Sequence, residues 1–248
     1  MTLKDFFDDW TSAAKSSYAQ RQWLLSKWEV FDGIEWSQDK INVMLGTILD
    51  ALRPEKEHLF LDLGCGGGWI TRLLAGHVHQ AVGLDFCAHM LSVAAASSAG
   101  SWVQGDIGRL PFKTSSVDRV LSYFVFLNFL DDSFVEKSLL EIHRVLAPGG
   151  VALIGQMPDA AGSLSYDRSK KEYMDYCSGQ MHLGRRNDQD SRAPLRTFDR
   201  ESLVRFLRDK GIVCDIRPAF NPFYRQGASV TVEWRFDLLL RKDYSGDK

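Results

Sequence analysis

Asp62-Leu63-Gly64-Cys65-Gly66-Gly67-Gly68 is the stretch of this chain whose residue types can do the most chemistry. Without Cβ atoms, its glycines let the backbone turn sharply and let a ligand lie directly against peptide groups. It continues the apolar run Leu59-Phe60-Leu61, which reads as a short buried strand, and ligands of open α/β sheets bind at the carboxyl ends of strands. Two cofactor classes compete for such a loop. A dinucleotide needs Gly, or at most Ala, at the last position of G-x-G-x-x-G. The register from Gly64 puts Trp69 there, and the register from Gly66 puts Thr71 there. A Trp would obstruct close packing at that position. The loop is therefore read as suited to a ligand with an amino acid end and no pyrophosphate.

The elements around the loop alternate. Apolar residues at helical spacing run from Asp5 to about Leu52, among them Phe6, Trp10, Trp23, Trp28, Ile41, Leu45, Ile48 and Leu52, which predicts a helical N-terminal segment. Arg53-Pro54 breaks it. After the glycines, Trp69, Ile70, Leu73 and Leu74 predict a helix, and Ala81–Asp85 a second strand with an acid at its carboxyl end. The alternation continues with helix Met90–Ala96, strand Trp102–Gln104, strand Val117–Tyr123, helix Ser133–Leu146, a Pro148-Gly149-Gly150 turn and strand Val151–Met157. Strands alternating with helices imply a parallel, doubly wound sheet. Residues 158–194 are polar and too long for an ordinary connection, so they are read as a lid or substrate-binding insertion. Thr197–Glu201 reads as a capped helix start, Ile212–Ile216 as a strand, and Val230–Leu240 as a half-buried antiparallel strand whose Arg235 and Asp237 face away from the core.

Composition limits the partners. With 248 residues the chain can bury a sizeable core as one domain. Its net charge of −2 gives no excess of positive charge for nucleic acid. Cys65, Cys87, Cys177 and Cys214 lack paired or framework spacing, which suggests reduced thiols in a cytoplasm. No apolar run approaches the roughly 20 residues of a membrane span. A soluble cytoplasmic protein without nucleic acid or membrane partners is expected.

Beyond the glycine loop, several ordered motifs match one family. They are Gly83-Leu84-Asp85 with Met90-Leu91, Gly105-Asp106-Ile107 with Leu110-Pro111-Phe112, Val117-Asp118-Arg119-Val120, and Arg144-Val145-Leu146-Ala147-Pro148-Gly149-Gly150. From about Leu59 to Met157 the sequence resembles the class I (Rossmann-like) S-adenosylmethionine-dependent methyltransferases. The resemblance implies a seven-stranded, mostly parallel sheet of order 3-2-1-4-5-7-6 with helices on both faces. It also implies one methyltransferase domain over 1–248: an N-terminal helical cap (1–53), a cofactor-binding core (54–157), a lid or substrate insertion (158–198) and the C-terminal part of the core (199–248).

The same resemblance assigns cofactor contacts. Asp85 accepts hydrogen bonds from the ribose hydroxyls, as a carboxylate with two acceptor oxygens can. Asp106 takes the adenine amine and the Ile107 backbone a ring nitrogen, with Phe86 and Met90 as apolar walls. Asp62, backbone groups of Gly64, Cys65 and Gly66, and the Ser122 carbonyl serve the methionine end, and Tyr18 or Arg21 of the N-terminal helices closes over its carboxylate.

Methyl transfer from a sulfonium is an in-line displacement with a neutral thioether leaving, so positioning suffices and a base is needed only if the acceptor must lose a proton. His182, in the expected lid, is the base candidate because imidazole titrates near neutrality; the alternative is a solvated loop histidine. Tyr166, Tyr173, Tyr176, Phe223 and Tyr224 could line an aromatic acceptor pocket, and Arg185 could hold an acceptor carboxylate or phosphate. No metal site is expected. Asn221-Pro222-Phe223-Tyr224 resembles an element of amino-methylating nucleic-acid enzymes, but it follows the sixth strand rather than the fourth and reads as turn structure. The expected activity is methyl transfer to O, N or C of a small metabolite or natural product. The rivals are a catalytically silent cofactor-binding protein and a methyltransferase acting on protein or RNA.

Overall fold

The computed structural model describes residues 30–31, 34–35, 38–96, 100–129, 131–162, 196–221 and 229–243. Strands β1 (Val30–Phe31) and β2 (Ile34–Glu35) pair antiparallel ahead of helix α1 (Gln38–Leu52). The remaining elements in chain order are β3 (Leu59–Leu63), α2 (Trp69–Ala75), β4 (Gln80–Asp85), α3 (Ala88–Ala95), β5 (Ser101–Gln104), β6 (Val117–Tyr123), α4 (Asp132–Val145), β7 (Leu146–Pro158), α5 (Arg200–Asp209), β8 (Val213–Phe220) and β9 (Thr231–Arg241). The seven strands from β3 onward form one sheet in the order β5-β4-β3-β6-β7-β9-β8. Numbered from β3, that is the expected 3-2-1-4-5-7-6, with only β9 running antiparallel to its neighbours.

Alternation of side chains along the strands divides the core between two faces. Phe60, Leu121, Leu153 and Leu239 pack with Met44, Ile48 and Leu52 of α1 and with Leu74 of α2. Leu61, Leu63, Val120, Ile154 and Leu238 pack with Val135, Leu139 and Ile142 of α4 and with Leu203 and Leu207 of α5. Each fully buried side chain of this size contributes roughly 1.5–3 kcal/mol. The helices start and stop for local reasons. Asp131 and Asp199 cap α4 and α5 by accepting from the N–H of Phe134 and of Ser202, which satisfies donors that have no partner inside the helix. α1 ends at Arg53, whose φ of 44° is left-handed, because Pro54 disfavours a helical residue before it.

Four expectations change. The N-terminal segment is not helical throughout: β1 and β2 interrupt it before α1. Pro148-Gly149-Gly150 is not a turn before the strand but a register shift inside β7, which pairs Val117 with Leu146 and then Arg119 with Val151. β8 runs four residues past Ile216, through Pro218; it is an edge strand of the sheet, where a residue without an N–H is tolerated. Finally, β9 is half-buried only over Thr231–Trp234, and Arg235 and Asp237 are buried with the rest. β9 lies between β7 and β8 with a packed layer on each face, so its second side is interior as well.

Candidate cofactor site

The loop after β3 folds back onto the end of β4. The N–H groups of Gly64 and Cys65 both donate to the Leu84 carbonyl, at 2.7 and 3.0 Å. Gly64, Gly66 and Gly68 have φ of 73°, 53° and 75°, the left-handed region that disfavours any Cβ. At Gly64 the space is closed too: a Cβ there would lie 2.5 Å from a methyl of Val125.

Two acids hold the loop. Asp85 accepts from the Gly66 N–H at 2.8 Å on one oxygen and from the Cys87 N–H at 2.9 Å on the other. The Phe86 N–H bonds to the same carboxylate, which with about four lone-pair positions retains capacity for a further donor. Burial pushes the Asp85 carboxyl above its ordinary range, and the N–H groups of Cys87 and Gly66 oppose the shift. Asp62, 3% exposed, accepts from the Thr71 hydroxyl at 2.6 Å and so ties the strand to the first turn of α2. Burial raises its pKa to about 7, against the Thr71 hydroxyl, with the Asp85 charge adding to the rise. The Cys65 thiol is pushed upward by burial and by both acids, which favours its neutral form.

Other predicted residues distribute around this centre. The Ser122 hydroxyl donates to the Leu63 carbonyl at 3.2 Å, joining β6 to the loop entrance. Phe86 is 49% exposed beside the buried Asp85. Met90 lies beneath the loop, its terminal methyl 4.0 Å from where a Gly67 Cβ would stand. Asp106 is exposed and accepts from the Gly108 N–H at 2.7 Å, so one of its oxygens makes a local turn. The Ile107 side chain belongs to the core. Tyr18, Arg21, Tyr166, Tyr173, Tyr176, His182, Arg185, Phe223 and Tyr224 lie outside the described residues. Asn221 donates its side-chain amide to the Ser229 carbonyl at 2.9 Å.

This loop-and-acid arrangement at the carboxyl ends of β3 and β4 has counterparts in known proteins. Residues 61–154 match the methyltransferase-domain family. A candidate methyltransferase of Encephalitozoon cuniculi is 30% identical over 159 residues, spanning 63% of this chain and 70% of that protein. This chain belongs to the class I S-adenosylmethionine-dependent methyltransferases. A 2-phytyl-1,4-naphthoquinone methyltransferase of Thermosynechococcus vestitus is 38% identical over 101 residues, 38% of this chain, and the match spans 44% of the relative's length. The phosphoethanolamine N-methyltransferase 1 of Haemonchus contortus, solved with phosphoethanolamine and S-adenosylhomocysteine, superposes with a TM-score of 0.63 at 18% identity over 100% of this chain and 51% of that one. That likeness bears on the methyltransferase fold alone. The cofactor of the class is S-adenosylmethionine, and the buried acids and the exposed ring of Phe86 suit a ligand with an ammonium, a ribose and an adenine.

Sequence reasoning missed the groups beside this methyltransferase loop. Thr71 clasps Asp62, and Val125 covers Gly64. At the carboxyl ends of β6 and β7, Phe124 and Gln156 have left-handed φ of 60° and 67°. The fully buried Gln156 donates its side-chain amide to Tyr123 Oη at 3.2 Å and to the Phe220 carbonyl at 2.8 Å, and its N–H donates to Asp237 at 2.8 Å. Arg235 donates to the Gln156 carbonyl at 3.2 Å. One signal was available: an acid inside the apolar run Phe236-Asp237-Leu238-Leu239-Leu240 needs an interior partner.

Asp237, like Asp62, is raised to about 7 by burial. Between the ordinary value of 3.8 and about 7 the folded chain binds more protons than the unfolded chain. The associated stability is therefore complete below pH 4 and lost as pH rises through 7. His143, lowered by burial, acts in the opposite sense below its ordinary value of 6.5. Unfolding by urea should accordingly show lower stability at pH 8 than at pH 6. Asp237→Asn should flatten that slope by on the order of 1–2 kcal/mol, and an unchanged slope would show that Asp237 ionises normally in the fold.

Proposed function

We propose that the chain transfers the methyl group of S-adenosylmethionine to an O, N or C atom of a small-molecule acceptor, by in-line displacement at the sulfonium. The observation that carries this reading is the double use of Asp85. The same buried carboxylate that organises the glycine loop through Gly66, and that also receives the N–H groups of Cys87 and Phe86, retains acceptor capacity that a ribose hydroxyl can use. Asp62 then serves the ammonium end, Ser122 the same end through its backbone, and Phe86 the adenine. The bound cofactor supplies a methyl on a cationic sulfur, and the residues of this chain bind it, orient it and exclude water. Proximity of this kind can supply most of the required barrier lowering.

A small acceptor is favoured by the net charge of −2, which offers nucleic acid no attraction, and by the naphthoquinone methyltransferase among the relatives. Among the described residues no helix is long and apolar enough to cross a membrane. The expected insertion 158–198 begins and ends in the core, with Pro158 in β7 and Phe198 buried; the stretch between them is proposed to form the lid over the acceptor, with Tyr166, Tyr173, Tyr176 and Arg185 facing it and Phe223 and Tyr224 adding to its wall. Tyr18 or Arg21 closes the methionine carboxylate, and His182 takes a proton where the acceptor must lose one.

The test is turnover. Purified protein with methyl-labelled cofactor, screened against pools of small metabolites, should form S-adenosylhomocysteine with one acceptor class. His182→Ala should then slow transfer to a protonated acceptor and displace its pH profile. Tight cofactor binding without turnover across all pools would replace the enzyme reading with that of a silent binding protein. Turnover only with protein or RNA would replace the acceptor class.

A further inference from the structure

Phe124 follows directly on β6, at the carboxyl end of the strand that lies beside β3. The residues on either side of it touch the glycine loop or its entrance. Ser122 reaches the Leu63 carbonyl with its hydroxyl at 3.2 Å, and a Val125 methyl lies 2.5 Å from where a Gly64 Cβ would stand. Phe124 thus stands between two residues that meet the loop, with its own ring partly exposed. In open α/β sheets this is the edge at which ligands bind.

The backbone there is costly. Phe124 has a φ of 60°, an outlier for a bulky residue, and the residue after it is Val125, so no proline dictates the turn. Conformations of this kind persist where the surroundings over-determine them. Here the Phe124 N–H donates to the Gly155 carbonyl at 3.3 Å, and the Asn128 side-chain amide donates to the carbonyls of Phe124 and Val125 at 3.2 and 3.1 Å. The ring is held as well. Tyr123 meets it edge-on, with 5.1 Å between centroids and 89° between planes, and the Arg235 guanidinium stands 5.7 Å from its centre. On the neighbouring strand Gln156, at a φ of 67°, sits where the pairing of β7 with β9 skips from Ile154 to Met157. Bulges of this sort recur beside active sites, where they re-aim a side chain. Glycine would adopt the backbone of position 124 without strain, so an aromatic residue there points to a use for its ring.

We infer that Phe124 is the residue on which the methyl acceptor stacks, and that the acceptor is planar and aromatic at the end to be methylated. A fixed, partly exposed ring beside the cofactor loop offers a flat acceptor the offset stacking that a saturated ring of the same size does not share. On the methyl-transfer reading, on which this rests, Phe124 also sets the plane of the acceptor and so orients the attacking atom for in-line displacement.

The test uses the whole chain saturated with S-adenosylhomocysteine and two probes of similar size, flat 2-naphthol and puckered decahydro-2-naphthol, titrated by calorimetry. The ratio of the two affinities, flat over puckered, should fall roughly 3–10-fold in Phe124→Leu, which keeps apolar bulk and loses the ring. Phe124→Tyr, which keeps the ring, should hold the wild-type ratio, and S-adenosylhomocysteine affinity reports that each variant is folded. A second readout needs no variant: in the wild-type chain the 2-naphthol proton resonances should move upfield and show nuclear Overhauser contacts to the Phe124 ring. No binding of 2-naphthol, contacts to other rings alone, or one ratio shared by the wild-type chain and Phe124→Leu would overturn the inference and leave the cofactor site standing. A wild-type chain that does not bind S-adenosylhomocysteine would overturn the methyl-transfer reading itself, and the inference with it.

Discussion

Replacing Asp85 with Ala should weaken S-adenosylhomocysteine binding by roughly 10²–10⁴-fold in calorimetry, from the loss of two hydrogen bonds to a charged acceptor. The effect has two sources. One is the direct loss of the acceptor positions proposed for the ribose hydroxyls. The other is structural: the N–H groups of Gly66 and Cys87 lose the carboxylate that now receives them, and the loop between them loses its fixed shape. Asp85→Asn separates these contributions. An Asn keeps one oxygen for a backbone N–H but presents an amide to the other, so its affinity should fall between wild type and Asp85→Ala. A folded Asp85→Ala variant that binds the cofactor as tightly as wild type would remove Asp85 from the site.

The second large effect is expected at Gly64. A methyl group there meets Val125 at 2.5 Å while the backbone sits at a φ of 73°. Overpacking in a filled interior costs about 1–3 kcal/mol, and a left-handed non-glycine adds about 1–2 kcal/mol. Gly64→Ala should therefore lower stability by roughly 2–5 kcal/mol in urea unfolding and reduce cofactor affinity alongside. Combining it with Val125→Ala removes the overlap and leaves the backbone strain, so the double variant should recover part of the loss beyond the sum of the two single changes. Strict additivity of the pair would mean that Val125 does not press on the loop.

The order of elements was legible because each parallel strand is a short apolar run that ends in a residue unable to continue it. Val117–Tyr123 lies where the pattern put it, although Asp118, Arg119 and Ser122 interrupt its apolar residues. The glycine loop and Asp85 were legible for a related reason: a backbone that needs left-handed φ at alternate positions leaves few residue choices. Asp237 shows where the pattern stops informing. Thr231 and Glu233 make β9 look half-exposed, yet whether the second face of a strand is wet depends on its neighbours in the sheet, and β9's neighbours come from β7 and β8. Thr71 was invisible likewise. A hydroxyl one turn into a helix looks like any surface threonine until the helix is set against Asp62.

The place of β9 in the sheet bears on how the chain is made. Among the described strands it is synthesised last, and it is inserted between β7 and β8 rather than added at an edge. About 80 residues separate the end of β7 from the end of β9, so a ribosome working at ~5–20 residues per second leaves the β7 edge unpaired for on the order of 4–16 s. β8 waits as well, because its only partner in the sheet is β9. A nascent chain paused in that interval carries two open apolar strand edges, the condition in which strands pair with the wrong chain. Slower passage of the ribosome over the codons for residues 159–230 is therefore expected to lower the yield of folded protein, through a strand whose residues lie outside the glycine loop.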